Sequence, residues 1–139
     1  MKRIKCRLLP SFFRTVTVFN RAFAQGETVW YKTVIDGCFV SMRRGEAAGN
    51  GDLNPADIFT VRIPAHPACI PRREWEALTD KSAAFSLAPG DVCVLADVPE
   101  NIPDNNSGSA LLKKYDGFVI RSATENCAGP LAHWKIEGV

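Results

Sequence analysis

No Cys-x-x-Cys pair occurs in the 139 residues, and the cysteines at 6, 38, 69, 93 and 127 are odd in number. A secreted disulfide framework uses an even set, so the pattern predicts reduced thiols in a cytosolic assembly. Cys38 and Cys93 lie in apolar runs and read as small core residues. Histidine is scarce, with only His66 and His133. His66-Pro-Ala-Cys69 could supply two zinc ligands, but zinc needs three or four and no second pair has matching spacing, so no metal site is expected. A phosphate loop is missing too. Gly45-Glu-Ala-Ala-Gly-Asn-Gly51 lacks the lysine and the hydroxyl that hold phosphate and magnesium, and reads as a hairpin loop. No apolar run approaches the length of a transmembrane helix.

A nucleophilic cysteine needs a base beside it, and no local signature provides one. The acids are scattered and mostly flank turns, where Asp and Glu are common. We therefore expect no catalytic residue, no cofactor and no enzyme activity. A signal peptide is also not expected. The start is basic and Ala22-Phe23-Ala24 mimics a cleavage site, but Pro10, Arg14, Asn20 and Arg21 interrupt the apolar stretch.

What is present is an ordinary globular composition, 46% apolar and 23% charged, of a length that favours one domain. The net charge of +2 is uneven: residues 1–14 carry Lys2, Arg3, Lys5, Arg7 and Arg14 and no acid, so the remainder is net −3. We divide the chain into a basic arm, 1–14, and a β-rich domain, 15–139. Such an arm either meets an acidic surface or nucleic acid, or is a frayed terminus.

Short β-runs between turn signals dominate the body. Strands are predicted at 15–19, 28–35, 38–42, 57–64, 92–96, 118–122 and 133–137. Asp36-Gly37 is read as a tight hairpin pairing the second and third of these. Residues 45–56 and 97–109 are two long loops, rich in Gly, Asn, Asp and Pro. Pro71 to Thr79 reads as a short helix opening at proline, and 110–115 as one or two helical turns. The fold class is mainly β: a small barrel or sandwich of about seven strands with one or two short helices. Trp30 and Trp134, in strands, are expected to fill a core or subunit interface rather than stack on bases.

Six segments carry a resemblance: Thr15-Val-Thr-Val-Phe-Asn20, Trp30-Tyr-Lys-Thr-Val-Ile-Asp-Gly37, Asp57-Ile-Phe-Thr-Val-Arg-Ile-Pro64, Gly90-Asp-Val92, Lys113-Lys-Tyr-Asp116 and Gly129-Pro-Leu-Ala-His-Trp-Lys-Ile-Glu-Gly138. In this order they resemble a family of small tailed-phage proteins. Its members are encoded among the minor capsid and head–tail joining proteins of phages and prophages of Gram-positive bacteria. The resemblance spans about 15–138 and does not include the arm. It implies a β-barrel virion protein in a homo-oligomeric head-closure (stopper) ring. That ring joins the portal or adaptor to the tail terminator or tail tube and helps retain packaged DNA. It implies assembly in the host cytoplasm, a place at the head–tail junction and no membrane.

Loop length and arm charge, rather than the resemblance, single out interface residues: Lys2, Arg3, Lys5 and Arg7 in the arm, Arg43, Arg44, Asn50 and Asp52 at the first loop, and Asn105 and Asn106 in the second. Three rival readings remain. One is another connector tier, an adaptor or tail terminator. Another is a small nucleic-acid-binding β-barrel, and the third a thiol or zinc hydrolase.

Overall fold

A computed structural model describes residues 2–5, 13–43, 58–126, 129 and 131–139. Among them are strands β1 (Lys2–Lys5), β2 (Phe13–Ala24), β3 (Glu27–Arg43), β4 (Ile58–Pro64), β5 (Val92–Val94), β6 (Gly117–Asn126) and β7 (His133–Gly138), with short helices α1 (Arg72–Glu76) and α2 (Ser109–Lys114). The sheet order β3-β2-β5-β6-β7-β4 returns from β4 to β3, closing a six-stranded barrel, and β1 adds outside it as a seventh strand. Closure pairs the outer edge of β3 with β4 over Phe39–Arg43, and β1 covers it over Thr33–Asp36.

The hairpin falls one turn earlier than Asp36-Gly37. β2 and β3 pair from Ala24↔Glu27 onward, joined by Gln25 and Gly26 at φ 52° and 79°. Positive φ at both central residues is what a two-residue hairpin turn of matching twist requires. At Asp36-Gly37 the chain does not reverse. The register passes from Arg14↔Cys38 to Val16↔Ile35, so β3 carries one extra residue, and Gly37 takes φ 86° in that bulge. The reason lies in distant partners: Asp36 accepts Arg3 Nε at 2.7 Å and Thr15 Oγ1 at 2.7 Å, while apolar runs on both sides already have β2 as partner. The bulge lets β3 bend from β1 on one stretch to β4 on the next, with Lys2–Lys5 paired parallel to Thr33–Asp36 and Phe39–Arg43 antiparallel to Ile58–Arg62.

Alternation along each strand sends one set of side chains inward. Val16, Val18, Ile35, Val61, Ile63, Cys93, Phe118, Ile120, Trp134 and Ile136 form the barrel core. Residues 65–91 fold back as a strap and add Cys69, Phe85 and Leu87 to that core. The strap is tied by a Cys69↔Phe85 bridge. The apolar run at 92–96 is buried on both faces. Cys93 and Leu95 face the core, while Val92 and Val94 join Phe19, Val98, Ile102 and Leu111 in a second cluster beneath the 97–108 loop and α2.

Of the arm, Lys2–Lys5 are β1 and Phe13-Arg14 open β2. Residues 6–12 and the 45–56 loop, with Arg7, Arg44, Asn50 and Asp52, lie outside the described residues.

Candidate assembly surface

The same alternation that fills the barrel places a second set of side chains outward on β3, β4, β7 and β6. Two rows cross these strands: Phe39, Arg62, Lys135 and Thr124, then Ser41, Thr60, Glu137 and Ser122. All are exposed or half-buried, and Ser41, Thr60, Arg62, Lys135 and Glu137 line a shallow depression of about 270 Å³ together with Arg43 and Ile58. Lys135 pairs with Glu137 at 2.8 Å. Arg43 and Arg62 have no ion-pair partner among the described residues. Among the described residues the face therefore carries a net +2 on a closed sheet and can attract an acidic protein surface or a phosphate backbone.

The remaining sequence candidates fall elsewhere. Arg3 lies on β1, its guanidinium bridging Asp36 and Asp97 at 2.7 Å each, and both carboxylates push its pKa up. Lys2 gives its ammonium to Ser82 O at 3.0 Å, and burial lowers its pKa. Lys5 ends β1. Asn105, at φ 62°, exchanges hydrogen bonds with Thr28, accepting the Thr28 N–H on Oδ1 at 3.0 Å and donating its own N–H to Thr28 O at 2.9 Å. The Asn106 carbonyl accepts Trp30 Nε1–H at 2.8 Å. So β1 and the second loop are fastened to the body, and only Arg43 among the described candidates lies on the open face.

Arg62 and Lys135 were not singled out from the sequence, although period-two patterning in Ile58–Pro64 and His133–Gly138 turns both outward. A buried polar network was missed as well. Asp91, fully buried, accepts Arg21 N–H at 2.9 Å, Asn20 Nδ2 at 2.9 Å and Arg72 Nη1 at 2.7 Å. Burial pushes its carboxyl up, against the downward pull of the Arg21 amide, Arg72 and Asn20. Asn20 also donates to Ser86 O at 2.5 Å and accepts Ser86 N–H at 3.3 Å. The network clamps the strap to β2. The one sequence signal was Asn20-Arg21, a polar pair between the apolar Phe19 and Ala22.

Among the described residues the thiols of Cys38, Cys69 and Cys93 are buried. Cys38 and Cys93 are fully buried, and burial drives the Cys93 thiol far above the ordinary range, so it stays protonated. His66 Nδ1 accepts the Ala68 N–H at 3.0 Å and closes a turn.

Glu100 accepts Tyr115 O–H at 2.8 Å, which lowers the carboxyl pKa. A depressed carboxylate stabilises the fold above its unfolded pKa, and that contribution is lost as pH falls through the lowered folded value. Tyr115→Phe should move the Glu100 carboxyl titration midpoint upward in carbon-detected NMR. An unchanged midpoint would remove the hydrogen bond as the cause.

Fold and surface together define a small closed β-barrel protein with an open cationic sheet face. The chain belongs to DUF6751, a family of unknown function, whose model matches residues 13–139 and so begins at the first residue of β2. Comparison with curated proteins and with solved structures gives no match.

Proposed function

We propose that this protein is a virion structural subunit at the head–tail junction of a tailed phage. It acts by assembly, as one subunit of a head-closure ring that links the portal or adaptor to the tail and helps retain DNA. The observation that carries this reading is the open face of Arg43, Arg62 and Lys135 on a closed barrel. A ring at the end of a DNA-filled head needs rigid subunits and a cationic surface toward DNA or acidic neighbours. The likeness of the 15–138 patterns to head–tail joining proteins supports the same place in the virion.

Antibody labelling of purified virions in negative stain tests the location. Label at the head–tail junction is expected, and label elsewhere, with accessible control epitopes present, would sink the reading. The double variant Arg43→Glu, Arg62→Glu should fold with less than ~1 kcal/mol change, as exposed substitutions do. Phage carrying it should accumulate filled heads without tails. Normal titres would remove the face from the mechanism.

The same face favours a second reading, a nucleic-acid-binding barrel. Binding of single-stranded DNA by the isolated protein, falling steeply with salt, would support that reading.

A further inference from the structure

The outer edge of β3 is paired in two places and open between them. At one end β1 covers it from Thr33 to Asp36. At the other, Thr28 turns both its N–H and its carbonyl away from β2 to Asn105. Peptide-group direction alternates along a strand, so the groups of Trp30 and Lys32 face this same edge; β1 takes the Lys32 carbonyl at the Lys2↔Thr33 pair, which leaves the Lys32 N–H and both groups of Trp30. Among the described residues, no backbone hydrogen bond joins them to the flanking segments 81–84 or 99–101.

This stretch forms the floor of a groove of about 550 Å³, walled by Lys81, Ser82 and Ala84 on one side and by Pro99 and Asn101 on the other. Three lysines, Lys2, Lys32 and Lys81, line it, and no acid does. The acids nearby are turned to other partners: Asp80 to Ser82, Asp97 to Arg3, and Glu100 to Tyr115 and Lys114. Lys32 spends its ammonium on the carbonyls of Val98, Pro99 and Glu100. Lys2 and Lys81 each donate to one carbonyl, Ser82 O and Leu78 O, and keep further donors.

We propose that this groove is a strand-addition site for an extended acidic peptide segment of a partner protein. An open strand edge supplies main-chain pairing, and the side chains around it supply selectivity. β1 shows that the edge accepts a parallel strand, and the groove lies on the same line, where a guest would continue that ladder. Alternate carboxylates on the guest would meet Lys2 and Lys81. The inference stands apart from the head–tail reading, because it concerns the purified chain and a peptide alone.

The probe is a fluorescein-labelled ten-residue peptide alternating valine with aspartate and glutamate, titrated with the full chain and followed by fluorescence anisotropy. Saturable binding is expected. Lys81→Glu should weaken it at least tenfold, with Lys81→Met intermediate, and circular dichroism should show both variants folded. N-methylating one alternate set of peptide amides should abolish binding, whereas N-methylating the other set should spare it. That asymmetry is the signature of strand pairing. Absence of saturable binding would overturn the proposal. So would indifference to both N-methylated sets, or equal binding of a ten-nucleotide oligothymidylate, since either would mean a site for any polyanion.

Discussion

Asp91→Ala is expected to lower the unfolding free energy by about 3–5 kcal/mol, the usual consequence of breaking a buried ion pair by removing one partner. Arg72, at 22% side-chain exposure, would keep Glu76 at 3.2 Å but face a cavity where the fully buried carboxylate stood. Asn20 Nδ2 and the Arg21 N–H would lose an acceptor in a site closed to solvent. Against a typical domain stability of about 5–15 kcal/mol, this is a large fraction. The midpoint of thermal unfolding should drop by roughly 10–20 °C. Urea unfolding followed by far-ultraviolet circular dichroism measures the loss, and a change below ~1 kcal/mol would show that the network is dispensable. A double-mutant cycle with Arg72→Ala should be non-additive, because the two side chains share one ion pair.

Trp75→Ala should cost about 3–5 kcal/mol, as expected for deleting a large buried aromatic side chain. Trp75 is fully buried on a helix of five residues that packing, not length, must hold in place. Its ring meets Tyr31 edge-on at 5.7 Å and takes the Arg72 guanidinium on its face at 4.7 Å. Its indole N–H reaches the carbonyls of Lys81 and Ala84 at 3.1 and 3.2 Å. Trp75→Phe keeps most of the buried area and loses only those bonds, so it should fall well short of the alanine loss. Equal losses would locate the whole effect in the indole N–H. Because Lys81 and Ala84 wall the groove on β3, the alanine variant should also weaken binding of the acidic peptide.

The strands were legible because most of them alternate or run apolar between turn residues, as at Thr15–Phe19 and His133–Glu137. α1 was legible from Pro71, which stands just ahead of its first turn. Asp36-Gly37 misled because positive φ at glycine serves a bulge as well as a hairpin, and only long-range partners decide between them. Here Arg3 and Thr15 decide by fixing the aspartate. β1 was hidden for a similar reason, since Lys2–Lys5 has only Ile4 as an apolar anchor and its pairing lies about thirty residues away. The open face was readable from period-two patterning once β4 and β7 are neighbours, but that adjacency belongs to the barrel closure and not to any local segment. The Asp91 clamp joins residues 20, 72, 86 and 91, and nothing local ties these together.

β7 inserts between β6 and β4, each made earlier in the chain. During translation the barrel therefore stays open until residue 138 has left the ribosome. Until then β4 and β6 each present a bare margin where β7 will lie, the kind of exposed template that recruits chaperones or other nascent chains. Ribosomes that stall or terminate shortly before His133 would release a chain with its wall unclosed and its core short of Trp134 and Ile136. For a protein made in quantity, such fragments would be expected among aggregated material rather than as soluble competitors of the intact chain.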